Sequence, residues 1–155
     1  MQLTDILEVS CVKVPLQATE KLQSIAELID LLAQNGKLKD YPSVLKAVMD
    51  REAVRSTGVG QGFAIPHGKT GGVDRLVMAI GKSGKPINFE SVDGQPVTMI
   101  VLLLSPLDKT GPHIQAIARI CRLMTDQEFR QKLWHSASAE ELFQHILDYQ
   151  KKPPL

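Results

Sequence analysis

Two of the four histidines in this chain sit in settings that could present an imidazole for chemistry. His67 lies in the stretch Gly-Phe-Ala-Ile-Pro-His-Gly-Lys-Thr, from Gly62 to Thr70. It closes a short apolar run, with Pro66 stiffening one side and Gly68 clearing the other. Bulky neighbours are absent, so a reactive group on another protein could approach the ring. The N–H groups of Gly68, Lys69 and Thr70 are candidates to contact an anion attached there. His113 follows Gly111-Pro112 at the expected opening turn of a helix, where unpaired N–H groups and the positive end of the dipole stabilise anions. Taken singly, each has a plainer reading: His67 as a hydrogen bonder inside a turn, and His113 as an exposed side chain tolerated at a helix start. His135 and His145 have charged neighbours in amphipathic segments and read as solvated surface residues.

The Gly-Lys-Thr ending of the first stretch also resembles the end of a nucleotide-binding phosphate loop, and that reading fails on spacing. Such a loop needs a glycine six positions before its lysine, so that consecutive backbone N–H groups wrap the phosphates. Position 63 is Phe, Gly62 is one residue too early, and Pro66 removes a donor. The dinucleotide fingerprint fails too, because Gly58-Val59-Gly60 and Gly60-Gln61-Gly62 are followed three positions later by Phe63 and Ile65 instead of a small residue. Nucleotides are therefore set aside. Lys69 then has two readings, a source of positive potential near His67 or a solvated loop lysine.

A chain of 155 residues with 43% apolar and 23% charged side chains reads as one globular domain able to bury a core, expected over residues 1–150. Two prolines in Lys151-Lys152-Pro153-Pro154-Leu155 predict a short loose tail over residues 151–155. A net charge of +1 gives no electrostatic reason to expect nucleic acid or an anionic membrane as partner. Met1 to Ser10 contains Asp5 and Glu8 and no basic residue, unlike a secretory signal, and the longest apolar run, Met99 to Leu104, is too short to cross a bilayer. A cytoplasmic location is expected. Cys11 and Cys121 lie far apart and lack Cys-x-x-Cys spacing, so they read as reduced structural thiols.

The elements that must position these residues follow from periodicity. Thr4 is a candidate cap for a helical turn at Asp5-Ile6-Leu7, and Cys11 to Val14 alternates like a half-buried strand. Leu22, Ile25, Ala26, Ile29, Leu32 and Ala33 predict a helix capped by Thr19 and stopped at Gly36. Pro42 opens another, with Val44, Leu45 and Val48 on one face and Arg51 near its end. From Gly58 to Gly72 the glycines forbid a helix and predict a built loop around a short strand at Phe63-Ala64-Ile65. Strands are expected over Leu76–Ile80 and Met99–Leu104, with a turn at Asp93-Gly94; the second is apolar throughout and reads as central. Helices return at Pro112, with Ile114, Ile117, Ala118, Cys121 and Met124 inward, then over Glu128–Trp134, then after a Ser138 cap with Leu142, Phe143, Ile146 and Leu147. Strands interleaved with helices predict a single-domain α/β fold, a mixed β-sheet with helices on both faces.

Arg51-Glu52, Ser56-Thr57-Gly58-Val59-Gly60, Ala64-Ile65-Pro66-His67-Gly68, Asp93-Gly94-Gln95-Pro96-Val97 and the Pro112-His113 helix together resemble the fructose/mannitol-type (type 2) enzyme IIA domain of the bacterial phosphoenolpyruvate phosphotransferase system. The resemblance runs from Leu3 to Tyr149, its most specific block being Arg51 to His67. The chain is most similar to the nitrogen-regulatory branch, which occurs as free-standing single domains of about this length. The resemblance implies that His67 is the phosphoacceptor, taking a phosphoryl group onto Nε2 from the phosphohistidine of a small HPr-like carrier, without cofactor, metal or nucleotide. It implies that His113 orients the acceptor and donates a hydrogen bond to the phosphoryl oxygens, and that Arg51 offsets their charge. Arg51 has a plainer alternative as a surface arginine paired with Asp50 or Glu52. Gln61 stands near the site where mannitol-type sugar domains carry an acid, a departure that weakens a sugar-transport reading; an amide can still hydrogen-bond a phosphate without repelling it.

Three functions follow. The first is a regulatory protein whose His67 charge state alters its binding to target proteins. The second is a transport component passing the phosphoryl group to a cysteine of an enzyme IIB; the absence of a fused IIB or membrane domain favours the first. The third, a divalent-metal protein using His67, His113 and a carboxylate, is weaker because the histidines lack short helical spacing and no third ligand stands out.

Overall fold

The computed structural model describes residues 1–151. Two short 3-10 turns, Leu3–Asp5 and Val9–Cys11, precede strand β1 (Val12–Leu16), helix α1 (Lys21–Gln34) and helix α2 (Tyr41–Val54). Strands β2 (Gly58–Gly60), β3 (Phe63–Ala64), β4 (His67–Lys69), β5 (Val77–Ile87) and β6 (Val97–Ser105) follow, then α3 (Thr110–Met124), α4 (Gln127–Trp134) and α5 (Ala139–Lys151). Lys151 thus ends α5, and the rest of the expected tail, residues 152–155, lies outside the described residues.

The strands form one six-stranded mixed sheet in the order β1-β5-β6-β3-β2, with β4 also paired to β6. β6 is its axis: antiparallel to β5, and parallel to β3 at one end and β4 at the other. Every residue of β6 from Met99 to Ser105 is buried, which requires cover on both faces. Strand alternation shows what supplies it. A Cβ on Gly68 would meet Ala47 and Val48 of α2, whereas Lys69, next along β4, reaches Thr110 of α3. α2 and α3 therefore lie on opposite faces of the sheet.

The predicted glycine-rich loop is largely β-structure. β2 and β3 make a hairpin through Gly60-Gln61-Gly62, all three at positive φ (97°, 60° and 83°), a path that glycine adopts without steric cost. β3 and β4 are successive segments on the same neighbour, with Phe63 opposite Met99 and His67 opposite Leu103. Periodicity missed this because β2, β3 and β4 are only two or three residues long, too short to display alternation.

Other boundaries shift for local reasons. Gly36 at φ +69 closes α1 with Lys37 N–H on the Leu32 carbonyl (3.0 Å) and Gly36 N–H on that of Ala33 (3.1 Å), as expected for a left-handed stop. Glu20, not Thr19, occupies the N-cap of α1, and Thr4 lies inside its 3-10 turn instead of capping one. Asp40 caps α2 through Ser43 N–H, placing Pro42 second in the helix, while Ser138 caps α5 through Glu141 N–H (3.1 Å) as expected. The inward stripe of α1 is Ile25, Leu28, Ile29 and Leu32, and Leu22 is 56% exposed. No helix among the described residues is long and apolar enough to cross a membrane.

Gly68 lets sheet and helix approach closely beside His67: an added Cβ would lie 3.3 Å from backbone atoms of Ala47 and Val48. Gly68→Ala should therefore push α2 outward and cost about 1–3 kcal/mol, lowering the thermal midpoint by about 3–10 °C. Gly71→Ala, whose nearest neighbour would be Leu107 Cδ1 at 4.0 Å, is the neutral control. Equal melting of the two variants would contradict this packing.

Candidate active site

Parallel pairing with β6 puts His67 at the start of β4, and the Ile65-Pro66 step before it bends the chain so that the ring reaches back to its own backbone. His67 Nδ1 lies 2.7 Å from the Ile65 carbonyl oxygen. A carbonyl only accepts, so Nδ1 carries the proton and Nε2 keeps its lone pair. Burial pushes His67 below the ordinary histidine range; the Ile65 carbonyl opposes that, the Arg51 charge adds to it and Glu52 opposes it. Neutral pH thus leaves a half-buried, neutral imidazole with one free nucleophilic nitrogen.

His113, from the first turn of α3, faces it: the ring centroids are 5.5 Å apart and the rings are inclined at 58°. Contrary to the plain surface reading, His113 is only 7% exposed, and its Nδ1 sits 2.6 Å from Oγ of Ser105, itself 0% exposed. Burial, then the nearby His67 and Lys69, hold its pKa down to about 4. His113 in fact heads the buried stripe of α3, followed by Ala116, Ile120, Leu123 and Met124. Ile114, expected inward, is 61% exposed. The sequence reading misphased this helix by one residue because it counted the histidine as polar surface.

Arg51 comes from the last turn of α2. Its guanidinium bonds the Arg55 carbonyl at 2.8 Å, and no ion pair among the described residues includes it. Both carboxylates expected as alternatives are taken: Asp50 by Lys46 at 2.6 Å and Glu52 by Lys21 at 2.9 Å. Glu52, 4% exposed, also accepts from Thr57 N–H (2.8 Å) and the Thr57 hydroxyl, tying α1, α2 and β2 together beside the site. The result is an unneutralised arginine near a neutral histidine, an arrangement suited to a phosphoryl dianion.

Lys69 lies on the same face of β4 as His67 and donates to Thr110 Oγ1 at 3.0 Å, holding a second cation at the mouth of the site. The other secondary residues are placed differently from the sequence reading. The Thr70 N–H is bound to the Ser105 carbonyl (2.8 Å) and so is not available to an anion, while its hydroxyl accepts the Gly72 N–H (2.9 Å) on a side chain only 4% exposed. Gly68 turns its open side to α2, giving room to a helix instead of to a docking partner, and the alternating parallel ladder assigns its N–H to β6. Gln61 sits in the β2–β3 turn with its N–H on Asp93 (3.2 Å), six positions before His67 on an extended path that spans up to roughly 20 Å. The structure does not bring it to the histidines. Among the described residues no group of three or more His, Cys, Asp or Glu side chains could hold a metal ion. His135 is exposed, and His145 lies 3.7 Å from Glu141, away from the site.

Ser105, Glu52, Thr110 and the Ile65 carbonyl are participants that sequence reasoning passed over. Of these Glu52 and Ile65 carried a signal, as parts of the Arg51-Glu52 and Ala64-Ile65-Pro66-His67-Gly68 segments.

The family model for the phosphoenolpyruvate-dependent sugar phosphotransferase system, EIIA 2, matches residues 5–149. The chain belongs to this family. It is 35% identical over 147 residues to a nitrogen regulatory protein of Bradyrhizobium diazoefficiens, covering 92% of this chain and 93% of that one. It is 31% identical over 151 residues to the fructose-specific EIIABC component of Bacillus subtilis, covering 97% of this chain but 24% of that longer protein. The crystal structure of the nitrogen regulatory protein IIA-Ntr from Neisseria meningitidis superposes with a TM-score of 0.85 at 30% identity, covering 93% of this chain and 98% of that one. This EIIA 2 domain therefore has the α/β fold of its family, and the mixed sheet with helices on both faces matches the expectation.

Because His113 of this EIIA 2 domain is buried neutral, its folded pKa lies below the unfolded value of 6.5, and the unfolded chain binds more protons between these values. Its stabilising contribution is complete above pH 6.5 and is lost as pH falls toward 4, with His67 acting in the same direction. Denaturant titrations across that window should show a shallower loss of stability for His113→Asn than for the native chain. Parallel pH profiles would refute the burial argument.

Proposed function

We propose that this chain is a phosphoryl-accepting enzyme IIA protein that takes a phosphoryl group from the phosphohistidine of an HPr-like carrier onto His67, over a domain spanning residues 1–150. The observation that carries this reading is the hydrogen bond from His67 Nδ1 to the Ile65 carbonyl, which leaves Nε2 as the only nucleophile on the ring.

The Nε2 lone pair attacks phosphorus in line. A new N–P bond forms as the N–P bond on the carrier breaks, and the electron pair of the broken bond returns to the carrier's ring nitrogen. The Nδ1 proton stays on His67, whose ring gains positive charge against the Ile65 carbonyl dipole. No proton has to move. Arg51 and Lys69 offset the charge on the phosphoryl oxygens, and His113 donates to them across the gap between the rings. The protein is a phosphotransferase that works through a phosphohistidine, a carrier of the group more than a multi-turnover catalyst.

A regulatory, nitrogen-type role is the first reading, supported by the near full-length match to nitrogen regulatory proteins. There the added charge of about −2 on the His67 face changes its affinity for target proteins. A cytoplasmic location goes with this role. The similarity to a fructose-specific EIIABC component supports the second reading, onward transfer to a cysteine of an enzyme IIB. In that step the thiolate attacks phosphorus and the N–P electron pair returns to Nε2.

Incubation with phosphoenolpyruvate, enzyme I and an HPr-type carrier, read by intact mass and acid treatment, should give one acid-labile phosphate on the native chain and none on His67→Ala. Arg51→Ala and His113→Ala should fold and load about 100-fold or more slowly, the scale for loss of one charge-stabilising donor. Phosphate on His67→Ala, or none on the native chain with its cognate carrier, would sink the assignment. An unchanged rate for His113→Ala would remove the role given to that residue.

A further inference from the structure

The last residue of β6 holds both halves of the site. The Ser105 carbonyl accepts the Thr70 N–H at 2.8 Å, pinning the end of the strand that carries His67. Its hydroxyl lies 2.6 Å from Nδ1 of His113, on the opposing helix. Ser105 is 0% exposed and His113 7% exposed, so solvent supplies neither group with an alternative partner.

The direction of the bond can be settled by counting protons. If His113 Nδ1–H donated to Oγ, the serine's own hydroxyl proton would need a second acceptor, and Ser105 Oγ has no other hydrogen-bond partner among the described residues. A buried hydroxyl proton without an acceptor is the costlier arrangement. If instead the hydroxyl donates to Nδ1, both the Ser105 proton and the His113 Nδ1 lone pair are satisfied, and the neutral ring must carry its one proton on Nε2. That nitrogen is the one not committed to Ser105, on a ring whose neighbour is His67.

We infer that Ser105 is a positioning residue that fixes His113 in the Nε2–H tautomer, so that a neutral His113 presents a donor where the phosphoryl oxygens arrive. His67 and His113 are thereby set in opposite tautomers by two different acceptor and donor groups. The Ile65 carbonyl makes His67 Nε2 a nucleophile, and the Ser105 hydroxyl makes His113 Nε2 a donor. The assignment rests on the proposed phosphoryl transfer for its consequence, while the tautomer itself can be observed without any phosphoryl donor.

Nitrogen NMR of the histidine side chains tests the pair directly. At neutral pH the native protein should show His67 protonated at Nδ1 and His113 protonated at Nε2, and Ser105→Ala should turn His113 into a tautomer mixture while leaving His67 unchanged. In carrier-dependent phosphorylation, Ser105→Ala should lower the maximal loading rate about 5- to 10-fold, the scale of one lost hydrogen bond, with the carrier KM unchanged. Ser105→Thr, which keeps the hydroxyl, should restore both tautomer and rate. A native His113 protonated at Nδ1 overturns the inference whether or not any variant folds. So does a Ser105→Ala protein that retains the native tautomer and rate. A native chain that accepts no phosphate while showing the expected tautomers would refute the proposed function and leave the Ser105 assignment standing.

Discussion

An imidazole can be neutral, nucleophilic at one nitrogen and fixed in orientation only if something permanently engages the proton on the other. In this chain that constraint is met by the backbone, through the Ile65 carbonyl 2.7 Å from His67 Nδ1. The acceptor can be placed there because Ile65-Pro66 interrupts the strand between β3 and β4 while both segments keep register on β6. Without the register the ring would not face α3, and without the interruption it would have no carbonyl behind it. The sheet, the helix cover and the charge arrangement all serve a ring held in this way.

The electrostatics follow from keeping two histidines neutral beside uncompensated cations. Burial lowers the proton affinity of both rings, and each positive neighbour lowers it further. A site of this kind is poised: positive potential from Arg51 and Lys69 is paired with no carboxylate among the described residues, so an arriving phosphoryl group meets attraction without first displacing a counter-ion. Glu52, whose carboxylate is held by Lys21 and Thr57, only partly offsets this lowering at His67. The three together brace the end of α2 against β2, and that end carries Arg51.

Some of this was legible in the residues and some was not. Long periodic segments announced themselves, and the continuous apolar run of β6 correctly marked the centre of the sheet. The resemblance singles out His67, His113 and Arg51; the structure sets the two rings face to face from β4 and α3, and the Arg51 charge acts on His67 from the end of α2. Around His67 the residues predict the short strand at Phe63 but not β2 or β4, because strands of two or three residues leave no alternation to see. Gly68 gives room to α2 and not to a partner, and Gln61, near His67 in sequence, sits in the β2–β3 turn at the other end of the extended run 63–69 along β6. Helix α3 was misphased because its buried face begins with a histidine, which looks polar until a buried hydroxyl is found to hold it.

What the sequence determined by itself was composition-driven: one apolar core, helices with their stops, a central strand, and a proline and glycine on either side of a single presented histidine. These are local consequences of side-chain size, branching and backbone freedom, and they need no knowledge of distant residues. Tertiary structure alone decided which groups are paired. That Glu52 is already occupied by Lys21 and that Ser105 lies under His113 are contacts between residues on different elements. A hydrogen bond or an ion pair acts over a few ångströms in space irrespective of sequence separation. The protonation states on which the chemistry depends were therefore fixed only when the sheet and its helices closed around them.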